Sequence, residues 1–183
     1  MNENALDYLN KNSNNFIPLK SKGLDYSEVL SNSWLAGFTD GDGNFNVIIS
    51  KKKGGNNYII QTQFRIELRQ TYHRFGNYGT TYWDILSIIA ALLGVNVYNR
   101  SRILNNTITY QYFFISSTIR SIKLTRYYFD KYPLLSSKYL DYLCWCKIVD
   151  LSANKPLTPA IIRECERIKL KMNSNRKEFN WDH

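Results

Sequence analysis

Apolar and polar residues alternate along residues 61–69, which is the pattern of a β-strand with one buried face. One side of this strand carries Thr62, Phe64, Ile66 and Leu68. The other side carries Gln61, Gln63, Arg65, Glu67 and Arg69. We expect the first side to join a core and the second to offer hydrogen-bond donors and acceptors to a partner.

Two hairpins are predicted. Residues 44–51 are also strand-like, and the turn-forming segment KKGGNN between the two strands indicates a hairpin. A second hairpin is expected on residues 95–116 around Asn105 and Asn106, where the pattern does not show which face is exposed.

In the remaining segments, apolar residues recur with the period of an α-helix. Helices are predicted from about Ser33 into the DGDG segment, and then on 82–94, 117–133, 137–151 and 159–172. Gly94 and Pro133 supply stop signals, and Thr158 followed by Pro159 starts the last helix. The order α-ββ-α-ββ-α-α-α predicts an α+β fold, with a four-stranded antiparallel sheet covered by helices on one face.

The chain is read as one domain with polar ends. Residues 1–31 are Asn-rich and form a polar N-terminal arm or linker, residues 32–172 form the domain, and residues 173–183 form a C-terminal tail. No apolar run is long enough for a membrane span and no signal peptide opens the chain, so no membrane partner is expected.

Composition narrows the function classes. Lys and Arg number 24 against 15 acids, a net charge of +9, which favours a polyanionic partner such as nucleic acid. Three cysteines without a repeated CxxC spacing and two histidines argue against a disulfide framework, a zinc site or a histidine-based nuclease. The abundance of Asn, Lys, Ile, Tyr and Phe suggests an A/T-rich genome, for example a mitochondrial one or that of an A/T-rich bacterium.

The segment WLAGFTDGDGNF, residues 34–45, places Asp40 and Asp42 where a helix ends. Acids are unfavourable there, because a helix C-terminus is already negative. A bound divalent cation would resolve this, since carboxylates and free carbonyls are ligands of Mg²⁺. An EF-hand is excluded by Phe45 and Lys51 at its sixth and twelfth positions. The alternative explanation is a surface turn whose two acids are simply solvated.

The same helix has Gly37 and Gly41 on one face, with Ala36 and Asp40 beside them. Small residues at this spacing let two helix backbones approach closely. Relief of a crowded core is the alternative explanation for the glycines. Trp34 and Phe38 are expected to point elsewhere, into the core.

LAGFTDGDG, residues 35–43, resembles the signature of the LAGLIDADG homing endonucleases and intron maturases. The strand order, FRIELRQ (64–70) and YPLLSSKYLDYL (132–143) support the resemblance, which covers residues 33–151. It implies an αββαββα fold whose curved sheet lies in a DNA groove. It also implies that two motif helices pack side by side and that each holds a divalent metal, here Mg²⁺, at the scissile phosphates.

The resemblance also assigns roles to residues. Asp42 would be the catalytic metal ligand with the Gly41 carbonyl, and Asp40 would be structural, closing the helix end. Gln70 would lie near the attacking water and Lys138 near the phosphate, unless they are an ordinary strand residue and a helix-surface lysine. The helix interface would contain Ala36, Gly37, Asp40 and Gly41. The DNA-binding set would be Asn46, Ser50, Lys52, Gln61, Gln63, Arg65, Glu67, Arg69, Arg100 and Arg102.

The expected function is therefore that of an intron-associated endonuclease making a Mg²⁺-dependent, sequence-specific double-strand cut in DNA. The alternatives are an RNA maturase that assists group I intron splicing without cutting DNA, and a DNA-binding regulator derived from the family. One motif is half a site, so we expect a homodimer or pairing with a separate first-half LAGLIDADG domain. The expected location is mitochondrial.

Overall fold

The elements follow the predicted order. The computed structural model describes residues 27–55, 57–71, 81–104, 106–153 and 156–179, so most of the predicted arm and the end of the predicted tail lie outside the described residues. Within these ranges the elements are α1 (Trp34–Asp42), β1 (Gly43–Lys51), β2 (Tyr58–Arg69), α2 (Trp83–Leu93), β3 (Val97–Leu104), β4 (Thr107–Ser116), α3 (Ile119–Lys131), α4 (Lys138–Ala153) and α5 (Pro159–Lys169).

The four strands form one antiparallel sheet in the order β1-β2-β4-β3. Each predicted hairpin supplies one half of the sheet, and pairing of β2 with β4 joins the halves, with Phe64 opposite Ser116. At the end of the first hairpin that is farthest from its turn, Gly43 lies opposite Ile66. The strand β1 begins at Gly43, directly after the motif helix. The α+β fold predicted from the sequence is confirmed.

An aromatic core fills the space between the sheet and the helices. Phe45 and Phe64 stack with ring centroids 5.1 Å apart, and Phe114 meets Phe64 at 5.7 Å. Phe129 of α3 and Trp145 of α4 cover Phe45 at 5.5 and 5.6 Å. Burying each such side chain stabilises the fold by about 1.5–3 kcal/mol. This packing commits one face of the sheet to the core and leaves the opposite face open.

Local signals set the helix boundaries where the sequence predicts them. Gly94 takes a left-handed conformation, with φ of 64°, and ends α2. The Thr118 side chain caps α3 by accepting a hydrogen bond from the backbone of Ser121. Thr158 caps α5 in the same way, with Pro159 in the first turn.

The first residues of the predicted tail are packed against the domain. The Arg176 guanidinium lies 2.6 Å from Asp141 of α4, and both side chains are about nine-tenths buried, with 10% and 8% exposed. The Asn173 backbone N–H also donates to Asp141 at 3.0 Å. The Asn173 side chain donates to the Phe45 carbonyl at 3.0 Å and accepts from Asn44 at 2.9 Å. These bonds tie α4 to the beginning of β1, directly after Asp42.

Breaking this buried ion pair is expected to weaken the fold. Arg176→Met leaves the Asp141 carboxylate buried without its counter-charge, so we expect a loss of about 3 kcal/mol in the free energy of unfolding. Arg167→Met is the matched control, because Arg167 pairs with Glu164 on an exposed helix surface. Urea unfolding of both variants checks this, and equal losses for the two would contradict the structural role of Arg176.

Candidate functional site

The C-terminal end of α1 is neutralised by a lysine from another helix. The Lys138 ammonium donates to the backbone carbonyls of Thr39, Asp40 and Gly41 at 3.1, 2.9 and 2.9 Å. The Thr39 carbonyl also accepts from the Gly43 N–H at the helix end, and a cation is favourable beside carbonyls at a helix C-terminus. The last turn of α1 has no basic residue of its own, so Lys138 supplies the missing positive charge.

The Asp40 carboxylate bonds to the segment just before α4 and not to the end of its own helix. Its carboxylate accepts hydrogen bonds from the backbone of Leu135 at 2.9 Å and of Ser136 at 3.2 Å, and from the Ser136 hydroxyl at 2.5 Å. An anion is favourable near a helix N-terminus. Asp40 therefore fixes the segment that carries Lys138, and this contact differs from the predicted role of closing its own helix end.

Asp42 differs from Asp40 in that its side chain is exposed. Among the described residues, no hydrogen bond or ion pair engages its carboxylate. Burial lowers the pKa of Lys138, and the nearby carboxylates of Asp42, Asp40 and Asp141 act in the opposite direction. Lys138 and Asp42 therefore form a lysine–carboxylate arrangement at one end of one helix.

The donor atoms at this helix end fit a hard divalent cation. The exposed Asp42 carboxylate and the Gly41 carbonyl are oxygen ligands of the kind Mg²⁺ takes. Over the residues that the structure describes, no group of three or more His, Cys, Asp and Glu side chains forms a complete site. Within the described residues, this helix end therefore offers one free carboxylate and nearby carbonyls.

The glycines of α1 do not relieve crowding in their own unit. Gly37 and Gly41 are exposed, and a Cβ added at either position would meet no atom within 4 Å. The crowded-core explanation is therefore excluded. The open space above both glycines is available to a second backbone.

The expected directions of Trp34 and Ala36 need correction, whereas Phe38 is half-buried and packs against the core. Trp34 is 41% exposed and stacks on Phe38 with a centroid distance of 4.9 Å, so Trp34 does not point into the core. Ala36 is 3% exposed and belongs to the core, so it does not lie on the outer face. At 100° per residue, positions 34, 37, 38 and 41 share one helix face. We call these four residues, Trp34, Gly37, Phe38 and Gly41, the outer face of α1.

The open face of the sheet carries the predicted nucleic-acid residues of the strands. Directly paired residues lie on the same face, and the register pairs Asn46 with Gln63 and Gln111 with both Arg69 and Arg100. The members of this face predicted from the sequence are Asn46, Ser50, Gln61, Gln63, Arg65, Glu67, Arg69, Arg100 and Arg102. Lys52 lies in the exposed hairpin turn at one end of this face.

The open-face residues that the sequence does not identify include Tyr98, Gln111 and Phe113. Phe113 pairs with Glu67 on one side and Tyr98 on the other. In β4, large aromatic residues occupy both alternating sets of positions, which hides the face in the sequence. The arginines of β2 and β3 could have identified the open face of β4, because β4 lies between these strands and arginines favour an exposed sheet face.

Glu67 is not a free hydrogen-bond acceptor for bases. Its side chain is 13% exposed and forms ion pairs with Arg65, Arg100 and Arg102. The sequence prediction treated Glu67 as an independent contact. It missed the pairing because the partners on β3 are 33 and 35 residues away.

Gln70 directly follows the last residue of β2. It lies four residues beyond Ile66, the strand partner of Gly43, which is about 13 Å along the chain at the usual rise of a strand. Its backbone N–H donates to the Tyr110 carbonyl at 2.9 Å, and its carbonyl accepts from Tyr82 at 3.3 Å. Its role near the attacking water stays a prediction.

The geometry defines a class of protein: an α+β unit with an exposed carboxylate at the end of a small-residue helix and an open sheet face that carries arginines. The family model for "LAGLIDADG endonuclease" matches residues 35–149. The chain belongs to this family. In the described ranges, no helix has both the length and the apolar character needed to cross a bilayer.

Similar proteins are encoded by introns. The chain is 36% identical over 180 residues to "Intron-encoded DNA endonuclease aI3" of Saccharomyces cerevisiae, covering 90% of this chain and 43% of that protein. It is 32% identical over 148 residues to "Uncharacterized cox1 intron-2 37.2 kDa protein" of Schizosaccharomyces pombe, covering 79% of this chain and 39% of that protein. The chain thus spans less than half the length of these two relatives.

Solved structures confirm the fold. The I-SmaMI LAGLIDADG homing endonuclease bound to cleaved DNA matches with a TM-score of 0.65 and 22% identity, over 97% of this chain and 54% of that one. The homing endonuclease I-TnaI matches with a TM-score of 0.59 and 21% identity, over 77% of this chain and 86% of that one.

Proposed function

We propose that this chain forms one half of an intron-associated DNA endonuclease that makes a sequence-specific double-strand cut with the help of a divalent metal, Mg²⁺. The exposed Asp42 carboxylate carries the proposal, because it stands free at the end of a helix whose outer face is open. An RNA-binding helper of splicing has no need of an acid at a negative helix end. The name of the similar S. cerevisiae protein supports the DNA substrate.

In this proposal Asp42 and the Gly41 carbonyl hold the metal, which when bound activates water and offsets charge on the phosphate. Asp40 keeps the lead-in to α4 against α1, and so keeps Lys138 at the helix end. The Lys138 ammonium supplies positive charge beside the position of the scissile phosphate. We assign no role to Gln70 in this proposal, since it lies four residues beyond the strand partner of Gly43.

A complete site requires a second motif helix. The outer face of α1 has the open space for it, and a homodimer or a separate LAGLIDADG domain is the proposed partner. The match to 54% of the I-SmaMI chain supports pairing with a second domain of the same kind. A mitochondrial location is part of the proposal, supported by the amino-acid composition and by a relative named for a cox1 intron.

The open face is proposed to read the DNA sequence in the major groove. Arg69 is exposed and takes no part in the ion pairs of Glu67, so its guanidinium is available to base edges. We expect Arg69→Ala to relax base preference at one position by about 1–3 kcal/mol. Selection of targets from a random duplex library checks this.

Lys52→Ala is the matched comparison in that experiment, since Lys52 is a turn residue suited to phosphate contact. It should weaken binding to all sequences alike and lower the salt slope by about one. If Arg69→Ala keeps the full wild-type preference, the open face does not read the bases as proposed.

A further inference from the structure

Glu67 is the one acid in the described strands of the sheet, and it lies on the open face among arginines. A carboxylate on a face that is proposed to bind DNA repels the phosphates. Its presence therefore calls for a function that outweighs this repulsion.

The Glu67 carboxylate binds arginines from two strands. Arg100 approaches it in a bidentate manner, with Nε 2.5 Å from one carboxylate oxygen and an Nη bonded to the other. An Nη of Arg102 lies 2.9 Å from that second oxygen, and Arg65 pairs with the same oxygen. A bidentate arginine–carboxylate pair fixes the plane of the guanidinium.

An aromatic ring supports two of these arginines from a third strand. Phe113 of β4 lies between β2 and β3, with its ring centroid 5.7 Å from the Arg65 guanidinium and 5.2 Å from that of Arg100. Cations over an aromatic ring are attracted to its face. Glu67 and Phe113 together hold the arginines at a defined distance from the sheet.

Without the acid, the three arginines would repel one another. The Arg65 and Arg100 guanidinium groups lie over the same Phe113 ring. Burial lowers the pKa of Arg65, and the positive charge of Arg100 lowers it further. Glu67 offsets that repulsion. Each guanidinium has five N–H donors, so donors remain for base edges after the contacts with Glu67.

We propose that Glu67 is a positioning residue for sequence readout, which holds Arg65, Arg100 and Arg102 as one preorganised set of donors for guanine-containing base pairs. This inference rests on the proposed function of the open face. Preorganisation lowers the entropy lost when the arginines bind bases. It also makes recognition at neighbouring base pairs depend on one carboxylate.

Glu67→Gln tests the proposal in target selection from a random duplex library. The variant should bind non-specific DNA more tightly than the wild type, since one negative charge is gone. Its discrimination should fall about ten-fold at two or more adjacent base pairs, which is within the range of a bidentate arginine contact. Arg100→Ala should affect an overlapping set of positions, and adding Glu67→Gln to it should have little further effect there.

Glu164→Gln is the matched control. It removes one acid that pairs with an arginine on α5, away from the sheet, and should leave base preference unchanged. Loss of preference at a single base pair in Glu67→Gln would make Glu67 a base contact and overturn the positioning role. Unchanged preference in Glu67→Gln would overturn it as well.

A measurement without DNA separates this inference from the proposed function. In NMR spectra of the free protein, the Arg100 Nε–H should exchange slowly with water in the wild type and rapidly in Glu67→Gln. Rapid exchange in the wild type would overturn the positioning role while leaving DNA binding intact. A wild type with slow exchange that binds no duplex DNA would overturn the proposed function and, with it, the readout role.

Discussion

Replacing Asp42 with Asn is expected to abolish DNA cleavage while leaving DNA binding and the fold intact. The Asp42 carboxylate is exposed and carries the charge proposed to hold the metal, so its loss should slow cleavage by at least about a thousand-fold, equivalent to several kcal/mol of transition-state stabilisation. Cleavage of the selected target, gel-shift binding and thermal melting measure the three properties separately.

Asp40→Asn is the control for Asp42→Asn, two residues away on the same helix. The Asp40 carboxylate accepts three hydrogen bonds from Leu135 and Ser136, so this variant should melt at a lower temperature. We therefore expect Asp42→Asn to slow cleavage without lowering the melting temperature. We expect Asp40→Asn to lower the melting temperature as its main effect. An Asp42→Asn protein that cuts at the wild-type rate would remove Asp42 from the proposed site.

The second large effect is expected at the outer face of α1. Gly37→Leu should prevent a second helix backbone from approaching, and cleavage should be lost with the paired assembly. The single unit should become more stable, because the position is open and replacing a helix glycine gains about 1 kcal/mol in helix propensity. Mass photometry of the protein on its DNA target and thermal melting check the two opposite changes.

Ala91→Leu is the matched control, since Ala91 is an exposed residue of α2, outside the outer face of α1. It adds the same side chain without blocking the proposed contact, so assembly should be unchanged. Normal assembly and cleavage by Gly37→Leu would show that the partner helix does not pack on this face.

The parts of the fold predicted from sequence are those specified by local patterns. Alternation along β2 gave the correct open face, because Phe64 and Ile66 are large apolar residues separated by polar ones. Gly94 marked the end of α2, since a left-handed residue at that position favours glycine. The motif identified the family because its acids and glycines are contiguous in the chain.

The errors concern relations between distant residues or between faces of a short helix. Apolar residues lie on both sides of the nine-residue α1, so Trp34 was assigned to the core although Leu35 fills that position. The partners of Asp40 and Lys138 lie 95 to 99 residues away, which no local pattern reveals. The arginines around Glu67 come together only through the register of the sheet.

Cleavage of a random duplex DNA library by the wild-type protein, with Mg²⁺ or with a chelator, distinguishes a DNA endonuclease from a maturase. Splicing of the host intron is measured in parallel with wild type and Asp42→Asn. We expect double-strand cuts within one family of related sequences, only with Mg²⁺ and only with Asp42 present. A wild type that cuts none of the library, while it and Asp42→Asn promote splicing equally, would refute the endonuclease and favour the maturase.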